Sequence, residues 1–277
     1  MTSKNQSTHP QSPNYIHPKA RIHPTVKIEP FAVIHEEVEI GDGCWIGSNS
    51  TIYDGARIGK NCNIFPGAVL SAIPQDLKFA GEKTTLEVGE NTTIRECATL
   101  NRGTNYNGKT SIGSNVLIMA YVHIAHDCII GNHVILANAV NMAGHVEIED
   151  FVIIGGVSAV HQFVKIGKHS MISGGSLVRK DVPPFVKAGR DPVRYEGVNS
   201  IGLRRRGFSN ATIHEIQNIY RHIFLSGMNN AKALDYVEAH LPATEERDEV
   251  ITFIKSASRG IIKGYTSTSQ QASRQTQ

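Results

Sequence analysis

The sequence has few aromatic residues and few cysteines, and both shortages exclude classes of protein. Of the 277 residues, 6% are aromatic, one is tryptophan and four are cysteine. Because no two cysteines form a Cys-x-x-Cys pair, the sequence predicts neither a zinc site nor a disulfide framework. Cysteines without a pairing pattern are typical of a reducing compartment, so we expect a cytoplasmic protein.

Long apolar runs and an excess of one charge are also missing. No run approaches the roughly 18 residues that span a membrane, so we expect no stable membrane insertion. The first residues, MTSKNQSTHPQSPN, have no apolar segment, so we expect no signal peptide there. The net charge is only +3, and we expect no nucleic-acid partner. Residues 1–14 and 265–277 are polar, and we expect both to be disordered tails.

Instead, the chain has an aliphatic residue at every sixth position over most of its length. The series run in steps of six from Ile16 to Leu70, from Val88 to Leu100 and from Ile112 to Val178. A period of six fits neither a helix at 3.6 nor a two-faced strand at 2. It fits short strands that turn a corner after every six residues, so that three strands make a triangular coil of 18 residues. Hexapeptide periods of this kind indicate a parallel β-helix.

Glycine follows the aliphatic residue in many repeats, as at Gly41, Gly59 and Gly113. We expect these glycines to supply the backbone conformation that a tight corner requires. The repeat is interrupted at residues 71–87 and 101–111, which are too polar for the interior and are predicted to form inserted loops. Inserted loops on a rigid scaffold are common places for binding groups.

The repeat ends after Val178, and the sequence predicts two domains. The β-helix is expected at 15–190 and a small α-helical domain at 191–264. Ser209 and Thr244 are suited to cap two helices, and Ala231–His240 is predicted to form another.

Histidine and acid–base partners are concentrated in one stretch, and histidine is the side chain best suited to accept a proton near neutral pH. His126 and Asp127 are adjacent, and a carboxylate beside an imidazole can orient it and raise its basicity. In an 18-residue coil, His126 stacks under Gly144 and Gln162, and Asp127 stacks under His145. We therefore expect these residues to gather on one outer edge. His133 and His169 are expected to be solvated.

Several motifs resemble one family. They are PQDLKFAGE (74–82), TIREC (93–97), RGT (102–104), HIAHDC (123–128), LANAVNMAGHV (136–146), IIGG (153–156), AVHQF (159–163), DVPP (181–184) and GLRRRGF (202–208). The chain resembles the hexapeptide-repeat acyltransferases, and within them the acyl-carrier-protein–UDP-N-acetylglucosamine O-acyltransferases, the enzymes that start lipid A synthesis. The resemblance extends from about residue 15 to residue 263. It implies a left-handed parallel β-helix, an all-β triangular prism followed by a small α-helical C-terminal domain.

The resemblance also implies roles for particular residues. It makes His126 the general base, Asp127 its polarising partner and the backbone N–H of Gly156 the oxyanion donor. Substrate-binding roles are implied for the following residues: Asp76, Lys78, His123, His145, His161, Gln162, Gly174, Asn199, Arg205 and Arg206. Among these, Gly174 is expected in the acyl tunnel, and the two arginines are expected at the nucleotide end.

The implied reaction transfers a (3R)-3-hydroxyacyl group from acyl carrier protein to the 3-hydroxyl of UDP-N-acetylglucosamine, by direct attack on the thioester. No metal and no cofactor are expected. The implied partners are acyl carrier protein, UDP-N-acetylglucosamine and two further copies of the chain in a homotrimer. We expect the basic residues between Arg179 and Arg206 to steer the acidic carrier protein electrostatically.

Other interpretations remain open at this point. A related N-acyltransferase acting on a UDP-amino sugar would carry a large domain before the β-helix, where this chain has only residues 1–14. A γ-class carbonic-anhydrase-like metalloenzyme would place His123, His126 and His145 around zinc. A non-catalytic assembly module would explain the repeat but not the histidines. Residues 103–110 match the phosphate-binding P-loop pattern, which requires a following helix where the repeat predicts none.

Two departures from the family pattern affect the substrate contacts. Asn101 stands where the family commonly has histidine, and segment 188–199 differs from better-known members. The sequence leaves open the acyl chain length and the choice between a hydroxyl and an amino sugar acceptor.

Overall fold

The computed structural model describes residues 13–264, so the expected tails at 1–14 and 265–277 lie outside the described residues, apart from Pro13 and Asn14. Within 13–264, the strands form three sheets of nine, eight and ten strands, which we call the first, second and third sheets. Neighbouring strands are parallel except for the final hairpin of the third sheet. Successive strands visit the first, second and third sheets in turn, so the chain winds as a triangular prism. The predicted parallel β-helix is confirmed.

The strand bounds are given sheet by sheet. The first sheet contains Tyr15–Ile16, Val33–Ile34, Thr51–Ile52, Val69–Ala72, Thr99–Asn101, His123–Ile124, Asn141–Met142, Ala159–Val160 and Leu177–Val178. The second contains Arg21–Ile22, Glu39–Ile40, Ala56–Ile58, Thr85–Val88, Lys109–Ile112, Ile129–Ile130, Glu147–Ile148 and Lys165–Ile166. The third contains Lys27–Ile28, Trp45–Ile46, Asn63–Ile64, Thr93–Ile94, Leu117–Ile118, Ile135–Leu136, Ile153–Ile154, Met171–Ile172, Val186–Gly189 and Arg194–Val198.

The core is the set of aliphatic ladders that the period of six predicts. Ile124 pairs with Met142 and Met142 with Val160, each one coil apart, and all three side chains are buried. Burying an aliphatic side chain of this size stabilises the fold by about 1.5–3 kcal/mol relative to exposing it. Since every coil repeats this arrangement, the ladders hold the corners in a fixed register.

The corners themselves correct one prediction. The residue that adopts a left-handed conformation is the third after most of the aliphatic residues, as at Gly43 (φ 69°) and Asn61 (φ 55°). The glycines directly after the aliphatic residues are needed for another reason, which is crowding by the next coil. A Cβ on Gly41 would lie 2.9 Å from the carbonyl carbon of Gly59, and a Cβ on Gly113 would lie 2.5 Å from the carbonyl oxygen of Gly131.

The prism has three edges, which we number by the sheets they join. The first edge joins the first sheet to the second, the second edge joins the second to the third, and the third edge joins the third back to the first. The two interruptions of the repeat are shorter than expected, because both flanks continue as strands. The insertions that remain are loop 1, residues 73–84, and loop 2, residues 102–108. Both loops project from the prism at the first edge.

The β-helix extends beyond the expected boundary at residue 190. Val186–Gly189 joins the third sheet and pairs with the antiparallel strand Arg194–Val198, so the sheet ends at Val198. This hairpin was not predicted, because its residues lack the period of six. In the described part of the chain, helices α1 (Ser200–Arg205), α2 (Asn210–Leu225), α3 (Asn230–His240) and α4 (Glu245–Ser256) follow.

The predicted caps are present. The side chain of Ser209 accepts a hydrogen bond from the N–H of Thr212, and Thr244 accepts one from Arg247. Between α2 and the β-helix, the Tyr220 hydroxyl donates to the carbonyl of Pro184 at 2.6 Å. After α4 the chain returns to the prism, where Asp181 bridges Ile261. None of the helices in residues 13–264 has the length and apolar character needed to cross a membrane.

Candidate functional site

The first edge carries most of the predicted site residues. Since Ile124, Met142 and Val160 stack in register, His126, Gly144 and Gln162 follow one another up this edge. Asp127 and His145 form the neighbouring column, and the N–H of His145 donates to the carbonyl of His126 at 3.1 Å. The predicted stacking is therefore confirmed.

His126 and Asp127 form a hydrogen-bonded pair. Nδ1 of His126 lies 2.7 Å from Oδ2 of Asp127, and the Asp127 side chain is inaccessible to solvent. Asp127 is the left-handed residue of its corner, with φ 59°, a conformation that Asp adopts more readily than most residues. An imidazole that donates from Nδ1 to a buried carboxylate presents Nε2 as its basic nitrogen.

Loop 2 fixes this carboxylate from the other side. The N–H and hydroxyl of Thr104 donate to Asp127 at 3.0 and 2.7 Å, and the N–H of Asn107 donates at 3.2 Å. Burial acts to raise the pKa of Asp127, but the hydrogen bonds from His126, Thr104 and Asn107 outweigh it and hold the pKa below its usual value. Asp127 is therefore a charged acceptor that orients His126. Sequence reasoning missed Thr104 and Asn107, although the Arg-Gly-Thr motif contained the first of them.

Gly144 lies directly against the imidazole of His126. A Cβ at Gly144 would stand 2.6 Å from Cε1 and 2.8 Å from Nε2 of that ring. Only a residue without a side chain leaves the ring in place. The sequence analysis placed Gly144 in the column but assigned it no role.

His145 stands between aromatic rings. Its ring stacks on Phe163 at 4.4 Å and meets the edge of Tyr106, on loop 2, at 4.5 Å. Burial lowers the pKa of His145, opposed by the charge of Asp127, and so favours the neutral form of the ring. The charge of Asp76, on loop 1, also acts to raise the pKa of His145. His145 is therefore brought to the His126 site, and Tyr106 is an unpredicted neighbour.

The other residues expected at this edge are less enclosed. Lys78, His161 and Gln162 are exposed around the edge, and Nδ1 of His161 lies 3.1 Å from the carbonyl oxygen of Gln162. His123 lies on the outer face of the first sheet, where its Nδ1 is 2.8 Å from the Thr99 hydroxyl. Burial lowers the pKa of His123.

Two predicted residues lie on the third edge instead. Gly156 and Gly174 are one coil apart, and a Cβ on Gly174 would lie 3.1 Å from the carbonyl oxygen of Gly156. Both follow strands of the third sheet, so within one chain a full face of the prism separates them from His126. A single chain does not bring Gly156 to the imidazole.

A third group lies at the second edge. Asn199 is buried and caps α1, because its Oδ1 accepts from the N–H of Gly202 while its Nδ2 donates to the carbonyl of His169. Arg206 donates to the carbonyl of Phe151 at 2.9 Å and covers that ring. Arg205 is exposed. The structure thus gives Asn199 and Arg206 contacts inside the chain, while Arg205 faces solvent.

His169 corrects the expectation of a solvated side chain. Only 7% of its surface is exposed, and its ring stacks on Phe151 at 4.8 Å in a column of rings along the second edge. Burial, together with the charges of Arg206 and Lys168, lowers the pKa of His169 to about 4. The signal that could have predicted this is the 18-residue spacing of His133, Phe151 and His169.

The metal interpretation fits the geometry poorly. His126, Asp127 and His145 have ligand atoms within 4.8 Å of one another, whereas His123 does not belong to this group. The carboxylate of Asp127 already accepts hydrogen bonds from Thr104, Asn107 and His126. A carboxylate saturated in this way is suited to orient an imidazole.

The P-loop interpretation is wrong for residues 103–110. The strand Lys109–Ile112 follows loop 2 where a phosphate-binding loop requires a helix. Lys109 forms an ion pair with Glu87 at 2.8 Å. Gly103 is needed for close approach, since a Cβ there would lie 2.4 Å from the N of Lys109.

Comparison with known proteins agrees with the fold and the motifs. Residues 181–262 match the family described as "Udp N-acetylglucosamine O-acyltransferase; Domain 2", and residues 37–72 and 109–144 match "Bacterial transferase hexapeptide (six repeats)". An acyl-[acyl-carrier-protein]–UDP-N-acetylglucosamine O-acyltransferase of Chlorobaculum tepidum is 51% identical over 203 residues, which are 72% of this chain and 77% of the relative. The enzyme of that name from Verminephrobacter eiseniae is 44% identical over 201 residues, covering 71% and 77%.

Solved structures agree equally well. A UDP-N-acetylglucosamine acyltransferase from Bacteroides fragilis superimposes with a TM-score of 0.90 at 49% identity, covering 91% of this chain and 99% of that one. The Francisella novicida enzyme gives a TM-score of 0.90 at 36% identity, covering 94% and 95%. The chain therefore belongs to the acyl-[acyl-carrier-protein]–UDP-N-acetylglucosamine O-acyltransferases and is an enzyme of that type, with their left-handed β-helix.

Proposed function

We propose that this enzyme transfers a (3R)-3-hydroxyacyl group from acyl carrier protein to the 3-hydroxyl of UDP-N-acetylglucosamine, in the first step of lipid A synthesis. The observation that carries the proposal is the His126–Asp127 pair, oriented by loop 2 at an open edge of a rigid prism. The names of its relatives supply the two substrates. Such substrates and the four free cysteines fit a cytoplasmic enzyme.

The proposed chemistry uses His126 as base and then as acid. Nδ1–H of His126 donates to Asp127, so Nε2 takes the proton from the sugar hydroxyl. The hydroxyl oxygen bonds to the thioester carbon, and the carbonyl π electrons move to oxygen to give a tetrahedral oxyanion. When the oxyanion collapses, the C–S bond breaks and the imidazolium returns the proton to the carrier-protein thiolate. The charged Asp127 stabilises the imidazolium between the two transfers. No metal and no cofactor take part.

We assign the oxyanion contact to the backbone of Gly144 in preference to Gly156. The Gly144 backbone adjoins the His126 imidazole in the same chain, whereas Gly156 lies on another edge. An N–H beside the base can face the oxygen that becomes negative as the hydroxyl adds.

The outer faces of the sheets support a homotrimer. The second sheet presents alternating charges, with ion pairs such as Arg57–Glu39 and Lys165–Glu147. The first sheet presents Val33, Thr51, Val69, Thr99, His123, Asn141, Ala159 and Leu177. The third presents Lys27 and Lys187 only at its two ends, and between them Trp45, Asn63, Thr93, Leu117, Ile135, Ile153 and Met171. Protein-contact surfaces are depleted of charged residues at their centres, so the first and third faces are the ones suited to meet other copies.

Packing those two faces against each other would bring together predicted site residues that lie on different edges of a single chain. If the third face of one copy packs against the first face of the next, the third edges gather around a threefold axis. The first edge of each copy then lies beside the second edge of its neighbour. This would bring His126 of one copy towards Arg205 of another. It would also leave Gly174 at the far end of the face, where an extended acyl chain starting at His126 would finish.

Acyl carrier protein is the proposed donor, and the exposed basic residues near the second edge would attract it. Arg204 and Arg205 are both exposed at the end of α1. Charges at the rim of a contact surface mainly raise the association rate.

The decisive experiment is mass spectrometry of the product formed from a mixture of 3-hydroxyacyl carrier proteins with UDP-N-acetylglucosamine and its 3-amino analogue. An ester of the hydroxyl sugar is expected, whereas an amide as the main product would identify an N-acyltransferase. Replacing His126 by Ala should lower kcat by at least about 100-fold, as for loss of a general base. Wild-type turnover by that variant would disprove the mechanism, and stoichiometric zinc in active enzyme would favour the metalloenzyme interpretation.

A further inference from the structure

Loop 2 has a second side chain at the site besides Thr104. Tyr106, at the outer part of this loop, exposes 68% of its surface although it is a large aromatic residue. Its ring meets His145 edge-on at 4.5 Å and Phe163 at 6.1 Å, while His145 and Phe163 stack face to face. The three rings form a wall beside His126, whose ring centre is 5.0 Å from that of His145.

The position of this wall is fixed by a backbone hydrogen bond of Tyr106 and by the stacking of His145 on Phe163. The N–H of Tyr106 donates to the hydroxyl of Thr104, which donates to Asp127. His145 and Phe163 are successive residues of one stacked column, with φ of 62° and 63°. The distance from the Tyr106 ring to the base is therefore set by the same contacts that orient the base.

The wall suits one of the two proposed substrates better than the other. A sugar hydroxyl that approaches Nε2 of His126 brings a rigid ring with it, and the C–H face of that ring is apolar. Exposed aromatic rings offer a flat apolar surface with a negative face, which attracts C–H groups. Burial lowers the pKa of His145, which disfavours a charged ring in this wall.

We propose that Tyr106 is a binding residue for the sugar acceptor, packing its ring against the apolar face of the sugar whose hydroxyl His126 activates. The inference rests on the proposed function, since it names a further contact of the same site. It makes the aromatic ring, and not the phenolic hydroxyl, the group that binds. Tyr106 then contributes to acceptor affinity and has no part in proton transfer.

The test compares Tyr106→Ala, Tyr106→Phe and Tyr236→Ala in the full-length enzyme. Tyr236 is a matched control, a partly exposed tyrosine on α3 that stacks on His240 away from the β-helix. Tyr106→Ala should raise KM for UDP-N-acetylglucosamine about fivefold to tenfold, the size of one aromatic contact. KM for the acyl carrier protein and the pH profile of kcat should stay as in the wild type. Tyr106→Phe and Tyr236→Ala should behave as wild type.

Calorimetric titration of UDP-N-acetylglucosamine into each variant, without the acyl donor, should show that Tyr106→Ala loses affinity for the sugar nucleotide by the same factor. An unchanged affinity, a loss shared by Tyr106→Phe, or a changed pH profile would overturn the proposal. Dissociation of Tyr106→Ala into smaller species in sedimentation would also overturn it, by assigning the ring to subunit packing. If the wild-type enzyme itself neither binds nor acylates the sugar, the proposed function fails, and that result is distinct from all of these.

Discussion

The Thr104 hydroxyl donates a 2.7 Å hydrogen bond to Oδ2 of Asp127, the same oxygen that faces Nδ1 of His126. Thr104 lies on an insertion outside the repeat, whereas Asp127 and His126 lie on a corner of the repeat. The prism therefore supplies the position of His126, the proposed base, and the inserted loop supplies the hydrogen bonds that fix its carboxylate partner. Residues outside the His-Asp pair should consequently control the rate.

Replacing Thr104 by Ala should lower kcat about tenfold, because a hydrogen bond to a charged group contributes about 1.5–3 kcal/mol. Thr104→Ser keeps the hydroxyl and should retain most activity. Removing a bond that lowers the pKa of Asp127 should raise that pKa, so the acid limb of the kcat profile should move to higher pH in Thr104→Ala. Steady-state rates from pH 3 to 8 measure both effects, because the wild-type carboxylate titrates below its ordinary value of 3.8. An unshifted limb would show that Thr104 does not orient the carboxylate.

Gly144→Ala should lower kcat with little change in Tm. The new Cβ would collide with the His126 ring, a side chain that can move aside, and displacing a base by about 1 Å costs about 100-fold in rate. Gly131→Ala is the matched control, because its Cβ would lie 2.8 Å from the backbone N of Asp150 at another edge. That variant should lower Tm while folded enzyme keeps its kcat. If both variants lose only stability, the contact between Gly144 and His126 is not catalytic.

Protein stability should fall between pH 6.5 and pH 4 because of His169. Its pKa is about 4 in the folded protein, below the ordinary value of 6.5, so the unfolded chain binds the extra proton first. The contribution of neutral His169 to the free energy of unfolding is fully present above pH 6.5, declines as the pH falls and is lost by about pH 4. At 1.36 kcal/mol per unit of pKa, it amounts to about 3 kcal/mol. His169→Phe preserves the ring column, and chemical denaturation should show a shallower decline for it. An equally steep decline would remove His169 as the cause.

Arg205→Gln should raise KM for acyl carrier protein and weaken its dependence on ionic strength. Arg205 is exposed, so the variant loses a surface charge and no packing. Arg21→Gln provides a control at the opposite end of the prism, on the charged second sheet, where another exposed cation is removed. Rates between 20 and 300 mM salt measure the effect, since added salt screens such attractions. A salt dependence equal to that of the wild type would place the carrier protein elsewhere.

Much of the scaffold could be predicted because its physical rule is local and repeats. The aliphatic series ending at Val178 predicted the three sheets, and the 18-residue coil predicted His126 beneath Gly144 and Asp127 beneath His145. The left hand of the helix came from resemblance. The role of Gly41 was misjudged, because crowding by the next coil is a property of the stack and not of one repeat.

The residues that were missed depend on contacts that no period describes. Thr104 reaches Asp127 across 23 positions through the path of loop 2, which composition does not determine. Tyr106 lies on the same loop. The hairpin that ends at Val198 and helix α1 follow the repeat and lack its spacing. The 18-residue coil thus predicted that His126, Asp127 and His145 lie together, while the hydrogen bonds from loop 2 could not be predicted without the folded loop.

The register of the prism has a consequence for how the chain folds. Most strands pair with the strand 18 residues away, and even across loop 1 the separation is only 30, as between Val69 and Thr99. Closing a loop costs entropy that grows only with the logarithm of its length. Each added coil therefore costs a small and nearly constant amount of conformational entropy. Nearest-neighbour contacts of this kind allow folding to nucleate in one coil and propagate to the next. Folding would then propagate slowly through the coils that carry loops 1 and 2 and at a uniform rate through the other coils.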